Sequence, residues 1–203
     1  MPPRVPAQDS NLLEKAARGG YEPVRFWEEV GAADWNVPRY WSPAHEAQAK
    51  EIRRLLRWVE FSSILDVGCG DGRLADLLLL LQPFARYTGV DVSPDALARV
   101  QERYPEAELH RSALWDWSAE GRQWDLVVCS EVLMHVPHEH FGPAMELLMG
   151  AARKLLIVDW YPSAGKAPAE IAPWCFYHTP QLVELLGEPV ATTGEQGIWL
   201  WPP

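Results

Sequence analysis

The sequence predicts an α/β protein built on a doubly wound, mainly parallel sheet. From residue 62 onward, short apolar segments alternate with segments of helical period, which is the rhythm of strand–helix–strand units. The apolar segments are almost unbroken, as expected for strands that helices cover on both faces. A glycine-rich turn follows the first of them, at the position where such sheets bind ligands. The 203 residues suffice for one such domain with an extension.

The extension is predicted at residues 1–60, ahead of the main domain at residues 61–203. Its predicted segments are a polar lead-in at residues 1–20, a helix at Tyr21–Val30, an aromatic loop at Asp34–Ser42 and a helix at Pro43–Val59. In the second helix apolar residues recur at helical spacing. We expect its basic residues to face water rather than a polyanion; they are Lys50, Arg53, Arg54 and Arg57.

Seven strands are predicted in the main domain. They are Ile64–Val67, Tyr87–Val90 (ending in Asp91), Ala107–Arg111, Asp125–Cys129, Leu155–Val158, Val190–Thr193 and Ile198–Trp201. The last two are short, and the fourth has the clearest apolar run. Length and β-branched content separate these runs from buried helices.

Capping and stop signals place the helices between the strands. Ser93 is a predicted N-cap, with Pro94 at the first helical position. Thr179-Pro180 is predicted to cap the last helix, and Gly187 to end it. The predicted helices are Arg73–Leu81 before Pro83, Pro94–Arg103 before Pro105, one within Glu139–Arg153, and one from Thr179 to Gly187.

Composition argues against several functional classes. The formal net charge of -10 is the wrong sign for a nucleic-acid footprint. No segment approaches the ~20 apolar residues of a membrane span, and no signal peptide is evident at the N-terminus. The three cysteines are widely spaced and predict neither a disulfide framework nor a zinc site. We expect a cytoplasmic protein that binds neither membrane nor nucleic acid.

The glycine-rich turn runs from Asp66 to Gly72 with the pattern Asp-x-Gly-x-Gly-x-Gly. Glycines allow the backbone to approach a ligand closely, and the helix that follows presents free N–H groups. A dinucleotide fingerprint needs a third glycine where this chain has Arg73, and a phosphate loop needs a following Gly-Lys-Ser/Thr. The carboxylate of Asp66 instead suits a ligand that carries a positive charge.

Three motifs in order give the sequence a family resemblance. Ile64–Leu77 (ILDVGCGDGRLADL) resembles the first motif of class I S-adenosylmethionine-dependent methyltransferases. Gly89–Ser93 looks like their second motif, and Gln123–Val136 is similar to the motif on their fourth strand. A looser similarity covers Tyr177–Leu182. The resemblance implies a Rossmann-like methyltransferase fold with S-adenosylmethionine as the cofactor.

The same resemblance implies roles for individual residues. The methionine part of the donor is expected along Gly68, Gly70 and Gly72, with its amino group oriented by Asp66. Asp91 is expected to hold the ribose hydroxyls, and Val92 to pack on the adenine. Many relatives have an acid near the adenine amino group where this chain has Ser112. The other residues that the resemblance places at the donor are Cys69, Ala113 and Ser130.

The methyl acceptor is inferred by exclusion. Methylation of base or amide nitrogens commonly uses an Asn/Asp-Pro-Pro-Tyr/Phe element after the fourth strand, where this chain has Cys129-Ser130-Glu131-Val132. Methylation at cytosine carbon-5 needs a Pro-Cys nucleophile, and Cys129 follows Val128. A small-molecule acceptor therefore remains as the main reading. A hydroxyl or ammonium acceptor would also need a base.

His135 is the candidate for that base, because it follows the fourth strand near the expected methyl group; in relatives a histidine in this segment often only packs beneath the cofactor. We expect His138 and His140 to face water, and His178 to cap, pack or enter the pocket. Glu131 is expected on the surface, with the alternative that it neutralises a cationic acceptor. Aromatic residues of the extension, which in relatives folds over the donor as a lid, could join those after the fifth strand in one pocket; the alternative is that most of them fill the core or an interface. They are Trp27, Trp35, Tyr40, Trp41, Trp160, Tyr161, Trp174, Phe176 and Tyr177.

Two other functional classes stay open at this point. One is a methyltransferase that acts on tRNA or protein, and the other is a protein that binds the donor without catalysis. A nicotinamide dehydrogenase is disfavoured by Arg73 in the glycine-rich turn.

Overall fold

The seven predicted strands form one sheet in the structure, a computed structural model that describes residues 21–30, 43–160, 175–193 and 196–202. The strand order is β3-β2-β1-β4-β5-β7-β6. The strands are β1 (Ser63–Val67), β2 (Arg86–Asp91), β3 (Glu108–Arg111), β4 (Trp124–Ser130), β5 (Ala152–Trp160), β6 (Ala191–Thr193) and β7 (Gln196–Trp201). The predicted α/β sheet is confirmed.

The strand order reverses between β1 and β4. β1 pairs in parallel with β2 on one side and with β4 on the other, while β7 runs antiparallel to both β5 and β6. After β1 and after β4 the chain therefore moves outward in opposite directions. This opens a crevice at the carboxyl ends of the two strands, where doubly wound sheets bind ligands.

Helices cover both faces of the sheet. They are α1 (Pro23–Val30), α2 (Pro43–Leu56), α3 (Arg73–Leu81), α4 (Pro94–Arg103), α5 (His138–Ala151) and α6 (Thr179–Leu186). The side chains of β4 alternate between two buried clusters, with Leu126 and Val128 on one face and Val127 and Cys129 on the other. Helices α2, α3 and α4 pack on the first cluster, and α5 and α6 on the second.

The predicted capping chemistry of α4 is confirmed. Ser93 Oγ accepts a hydrogen bond from the Ala96 N–H over 3.3 Å, and Pro94 begins the helix. The predicted bounds of α3 also match those observed. Lys50, Arg53 and Arg54 of α2 and Arg57 just after it are exposed, as predicted, and Arg54 pairs with Glu51 on the same helix.

Several predicted boundaries differ from those observed, and three of them have a clear physical reason. Helix α2 ends at Leu56, not Val59, because the Arg57 and Val59 N–H groups bond to carbonyls only three residues back. Strand β5 begins at Ala152, three residues before the prediction, since Ala152 already pairs with Trp124. His178, not Thr179, occupies the N-cap position of α6, and no side-chain cap bond forms there.

Two predicted segments, residues 1–20 and Asp34–Ser42, lie outside the described residues. The same holds for Tyr161 and Trp174, and for the side chain of Trp160. Among the helices that are described, none combines the length and the apolar character needed to cross a membrane.

Candidate functional site

A cavity opens at the carboxyl ends of β1, β2 and β4. Its floor is formed by Asp66 and Val67 of β1, Val90 and Asp91 of β2, and Ser130 of β4. The glycine-rich turn, the segment after β3 and the segment after β4 form its walls. Ten of the eleven site residues predicted from the sequence lie in this lining; they are Asp66, Gly68, Cys69, Gly70, Asp91, Val92, Ser112, Ala113, Ser130 and His135.

The glycine-rich turn is shaped by left-handed backbone at Gly68 (φ 71°) and Gly70 (φ 54°). The N–H groups of Gly68 and Cys69 both donate to the Val90 carbonyl, over 2.7 and 3.2 Å, which holds the turn against β2. A Cβ on Gly68 would lie 2.0 Å from Val132 Cγ2. The turn therefore needs glycine both for its dihedral angles and for its close contact with the segment after β4.

Gly72 is the predicted site residue that is missing from the cavity lining. It precedes α3 in the left-handed conformation (φ 87°), and a Cβ there would lie 2.8 Å from Arg103 Nη2. Arg103 bonds to the Asp71 carbonyl and to the Asp76 carboxylate. Gly72 thus makes room for an arginine on the outside of the turn.

Asp66 places a buried carboxylate at the cavity floor. Its side chain is 1% exposed, and Oδ2 accepts a hydrogen bond from Tyr87 Oη over 2.8 Å. Burial raises the pKa of Asp66 to about 6, although the bond from Tyr87 opposes this change. A cationic group bound above the floor would favour the ionised carboxylate.

Asp91 ties the end of β2 to the glycine-rich turn. Its Oδ2 accepts from the Gly70 N–H and its Oδ1 from the Ser93 N–H, each over 2.8 Å. Burial raises the pKa of Asp91 even against these two bonds. Each carboxylate oxygen still has a second lone pair, so Asp91 can accept hydroxyl groups from the cavity while it holds the turn.

The wall after β3 contains Val92, Ser112, Ala113, Leu114 and Trp115. The Ser112 N–H donates to the Asp91 carbonyl over 3.0 Å, and Ser112 Oγ donates to the Ala113 carbonyl over 3.0 Å. With its proton used in this way, Ser112 Oγ presents lone pairs as an acceptor. This wall can take a flat apolar group with an amino substituent.

At the other end of the cavity, Glu131 lies in the lining, so the expected surface position for Glu131 was wrong. Its backbone is left-handed (φ 58°). The Oε1 atom is 3.3 Å from His45 Nε2 and 3.9 Å from Arg73 Nη2. Both of these partners also line the cavity, so this end is polar and charged.

Gln48 is a residue that the sequence analysis missed. Its side chain is fully buried; Nε2 donates to Ser130 Oγ over 2.9 Å, and Oε1 accepts from Arg73 Nη2 over 3.2 Å. The available signal was a polar residue on the apolar face of α2, four and eight residues before the buried Ile52 and Leu56.

His135 ends a 3₁₀ turn (Leu133–His135) that follows β4. Its Nδ1 lies within hydrogen-bond distance, 2.8 Å, of Tyr21 Oη. The same Tyr21 oxygen accepts a hydrogen bond from Trp27 Nε1 over 3.2 Å. The Trp27 ring meets the His135 ring edge-on at 4.8 Å. The N-terminal segment therefore reaches the candidate catalytic residue directly.

The remaining histidines lie outside the lining. His138 is exposed, as expected, whereas His140 is half-buried and stacks on Trp115 with the ring centroids 5.3 Å apart. His178 is fully buried and donates from Nε2 to the Val136 carbonyl over 2.7 Å. It packs on the Phe141 ring at 4.3 Å, which settles its open assignment as a packing residue.

Of the candidate pocket aromatics that are described, Trp27 lines the cavity and Phe176 and Tyr177 do not. Within the described part of the chain, no three His, Cys, Asp or Glu side chains are grouped so that they could hold a metal ion.

Comparison with known proteins finds similarity to methyltransferases. Residues 65–157 match the profile of a family described as a methyltransferase domain. A trans-aconitate 2-methyltransferase from Variovorax paradoxus (strain S110) is 30% identical over 115 residues, which are 55% of this chain and 44% of that protein. The chain spans less than half the length of the curated relatives that it matches.

Solved structures share the fold. The N-methyltransferase NodS from Bradyrhizobium japonicum WM9, in complex with S-adenosyl-L-homocysteine, superposes with a TM-score of 0.67 at 18% identity. That similarity covers 89% of this chain and 99% of NodS. The sugar N-methyltransferase KedS8 from Streptoalloteichus sp. ATCC 53650 has a TM-score of 0.51 at 25% identity, over 60% of this chain and 50% of KedS8.

Proposed function

We propose that this chain, whose residues 65–157 match a family described as a methyltransferase domain, transfers a methyl group from S-adenosylmethionine to a small-molecule acceptor. The observation that carries the proposal is the pairing of a tight glycine-rich turn with a buried carboxylate. Gly68 and Gly70 of the turn line the cavity, and the buried Asp66 offers a negative charge at its floor. These residues fit a ligand with a small end that can approach the backbone of the turn closely and that carries a cationic group.

We propose that the donor lies along the predicted residues of the cavity. Asp66 and the Gly68–Gly70 turn hold the aminoacyl end, with Cys69 between them. Asp91 accepts the ribose hydroxyls, and Val92, Ser112 and Ala113 hold the adenine. Gly72 supports the turn from outside the cavity. Ser130, bonded to Gln48, lies beside the reacting end.

The chain has a limited chemical task in this reaction. S-adenosylmethionine, when bound, supplies an electrophilic methyl group on a sulfonium. The residues of the chain must orient the two substrates and keep water from the cavity. Trp27, Trp115 and Leu114 provide apolar walls for that purpose. His135 and Glu131 are the polar groups nearest the expected acceptor end.

The charge of the lining bears on the acceptor. Among the described lining residues, three carboxylates (Asp66, Asp91 and Glu131) face one guanidinium, that of Arg73. One relative is named for trans-aconitate, a polyanion, which needs several cationic partners. We therefore propose an acceptor with at most one negative charge, bound near Arg73, rather than a tricarboxylate.

The proposal is tested first by calorimetric titration with S-adenosylmethionine, S-adenosylhomocysteine and NADH. We expect micromolar binding of the first two and none of NADH. Transfer of labelled methyl groups to a panel of neutral, cationic and carboxylate small molecules then tests the reaction. Binding of NADH alone would contradict the cofactor assignment, and binding of the donor without product across the panel would favour a non-catalytic binding protein.

Several sequence predictions remain proposals at this level. They are the division at residue 60 into an extension and a main domain, a cytoplasmic location, and an acceptor that is neither membrane-bound nor a nucleic acid. A donor-dependent product on tRNA, with no product on small molecules, would contradict the last of these.

A further inference from the structure

We propose that Tyr21 holds His135 in the tautomer that carries its proton on Nε2, so that His135 acts as a hydrogen-bond donor and not as a base. Tyr21 is then a positioning residue that acts through His135. The inference rests on the proposed function only in assigning this end of the cavity to the methyl acceptor.

The first step of the argument is the proton inventory of Tyr21. A phenol donates one hydrogen bond and accepts two, and an indole N–H only donates. Trp27 Nε1 lies 3.2 Å from Tyr21 Oη, so the oxygen is the acceptor in that contact. The second contact of the oxygen is His135 Nδ1, at 2.8 Å. The proton of the phenol is therefore available for Nδ1.

The opposite tautomer, with the proton on Nδ1, satisfies fewer hydrogen bonds. If Nδ1 carried the proton, both His135 and Trp27 would donate to Tyr21 Oη. The phenol proton would then have no acceptor among the described residues. Tyr21 is half-buried, and burial raises its pKa, so the phenol keeps its proton. A buried donor without a partner is unfavourable, which selects the arrangement in which Nδ1 accepts.

The ring of His135 is held as well as its proton. The Trp27 ring meets it edge-on at 4.8 Å between centroids, and the Tyr21 ring lies 6.2 Å away. The backbone at His135 is also held, because its main-chain N–H donates to the Val132 carbonyl over 2.8 Å. Tyr21 and Trp27 both come from the N-terminal segment, so this segment sets the chemical state of a residue after β4.

The consequence concerns the chemistry of the cavity. In a neutral imidazole with its proton on Nε2, that nitrogen has no lone pair and can only donate. His135 therefore has no lone pair with which to take the proton of a hydroxyl or ammonium acceptor. A role as hydrogen-bond donor replaces the base that the sequence predicts at His135.

The test is nitrogen NMR of the full chain labelled with ¹⁵N-histidine, at pH 8 and without any ligand. We expect the His135 signals of one protonated nitrogen, Nε2, and one unprotonated nitrogen, Nδ1. The signals are assigned by their loss in His135→Gln, or by ring-to-backbone correlations if that variant does not fold. A protonated Nδ1 with an unprotonated Nε2 would overturn the proposal.

Tyr21→Phe tests whether the phenol sets the tautomer. We expect the Nδ1 and Nε2 shifts of His135 to move toward each other as the two tautomers mix, while Tyr104→Phe leaves them unchanged. Tyr104 is the matched control because its hydroxyl bonds to Asp76, outside the cavity lining. Unchanged shifts in folded Tyr21→Phe would exclude the positioning role. Since no donor or acceptor is present, either result is independent of the proposed methyl transfer.

Discussion

Gln48 Nε2 donates a hydrogen bond to Ser130 Oγ over 2.9 Å, from helix α2 to the carboxyl end of β4. The carbonyl oxygen of the same amide accepts from Arg73 Nη2 over 3.2 Å. One buried side chain of the N-terminal part thus holds two residues of the cavity lining. Formation of this end of the cavity depends on the docking of α2.

Gln48→Met removes both bonds with little change in side-chain volume. Because Ser130 loses a donor while it stays buried, we expect a loss of about 1–3 kcal/mol in the free energy of unfolding. Urea titration measures it. The control Gln181→Met changes an exposed glutamine of α6 and should stay within about 0.5 kcal/mol of the wild type. Equal stability of the two variants would contradict the bridging role.

Gly68→Ala tests the contact between the glycine-rich turn and the segment after β4. A Cβ at this position would lie 2.0 Å from Val132 Cγ2, on a backbone with φ 71°. We expect a loss of stability above about 2 kcal/mol and loss of S-adenosylhomocysteine binding, measured by urea titration and calorimetry. Gly68→Ala combined with Val132→Ala should recover part of the stability, because the clash with Val132 Cγ2 is removed, while the dihedral penalty and a 3.3 Å contact with the Cβ of residue 132 remain.

Gly150→Ala is the matched control for that prediction. Gly150 lies in α5, and a Cβ there meets no atom within 4 Å. The substitution should leave ligand binding unchanged and raise the stability slightly, since alanine favours a helix interior over glycine. A loss of ligand binding in this variant would mean that alanine substitution itself, and not the contact with Val132, explains Gly68→Ala.

Asp91→Ala should weaken both ligand binding and the fold. The carboxylate bonds the N–H groups of Gly70 and Ser93 and is proposed to accept the ribose hydroxyls. Charge-assisted bonds of this kind are worth about 1.5–3 kcal/mol each, so we expect the Kd of S-adenosylhomocysteine to rise at least about a hundredfold. Calorimetry and urea titration measure the two effects. The exposed Asp95 gives the control, Asp95→Ala, which should change neither by much.

The sheet could be predicted from the sequence, and ten of the eleven predicted site residues lie in the cavity lining, because their signals are local. Ile64–Leu77 contains the strand, the turn and the start of the helix in one continuous motif, and the family match over residues 65–157 confirms the resemblance drawn from it. The cap at Ser93 is also a local device, and it was predicted to the residue.

The remainder depended on contacts between distant parts of the chain. Glu131 faces the cavity because His45 and Arg73 meet it there, and no pattern near residue 131 reports on either partner. Gly72 belongs to the glycine motif, yet its neighbour is Arg103, thirty-one residues further along the chain. The bond from Tyr21 to His135 spans 114 residues, beyond the reach of any periodicity argument.

Binding of the donor should depend on the ionisation of Asp66. Its pKa is raised to about 6 by burial, and an ammonium group nearby favours the carboxylate form. We expect the affinity for S-adenosylhomocysteine to fall by up to about tenfold for each pH unit below 6. Calorimetry at pH 5, 6 and 7.5 measures this change. Asp66→Asn should bind more weakly at pH 7.5 and show a smaller pH dependence; an unchanged pH dependence would assign the effect to another group.

In the ligand-free chain, Asp66 and His178 contribute to the stability in opposite directions as the pH changes between 4 and 6.5. The raised pKa of Asp66, about 6 against 3.8, contributes stability that is complete below pH 3.8 and is lost as the pH rises through 6. The pKa of His178 is lowered to about 4 from 6.5, mainly by burial, and its contribution is complete above pH 6.5 and is lost as the pH falls through 4. Each of these two pKa shifts is worth about 3 kcal/mol.

In urea titrations across this range, Asp66→Asn should therefore become more stable with rising pH relative to the wild type. His178→Gln, which can still donate to the Val136 carbonyl, should become less stable with rising pH relative to the wild type. Parallel pH profiles for the two variants and the wild type would contradict both assignments.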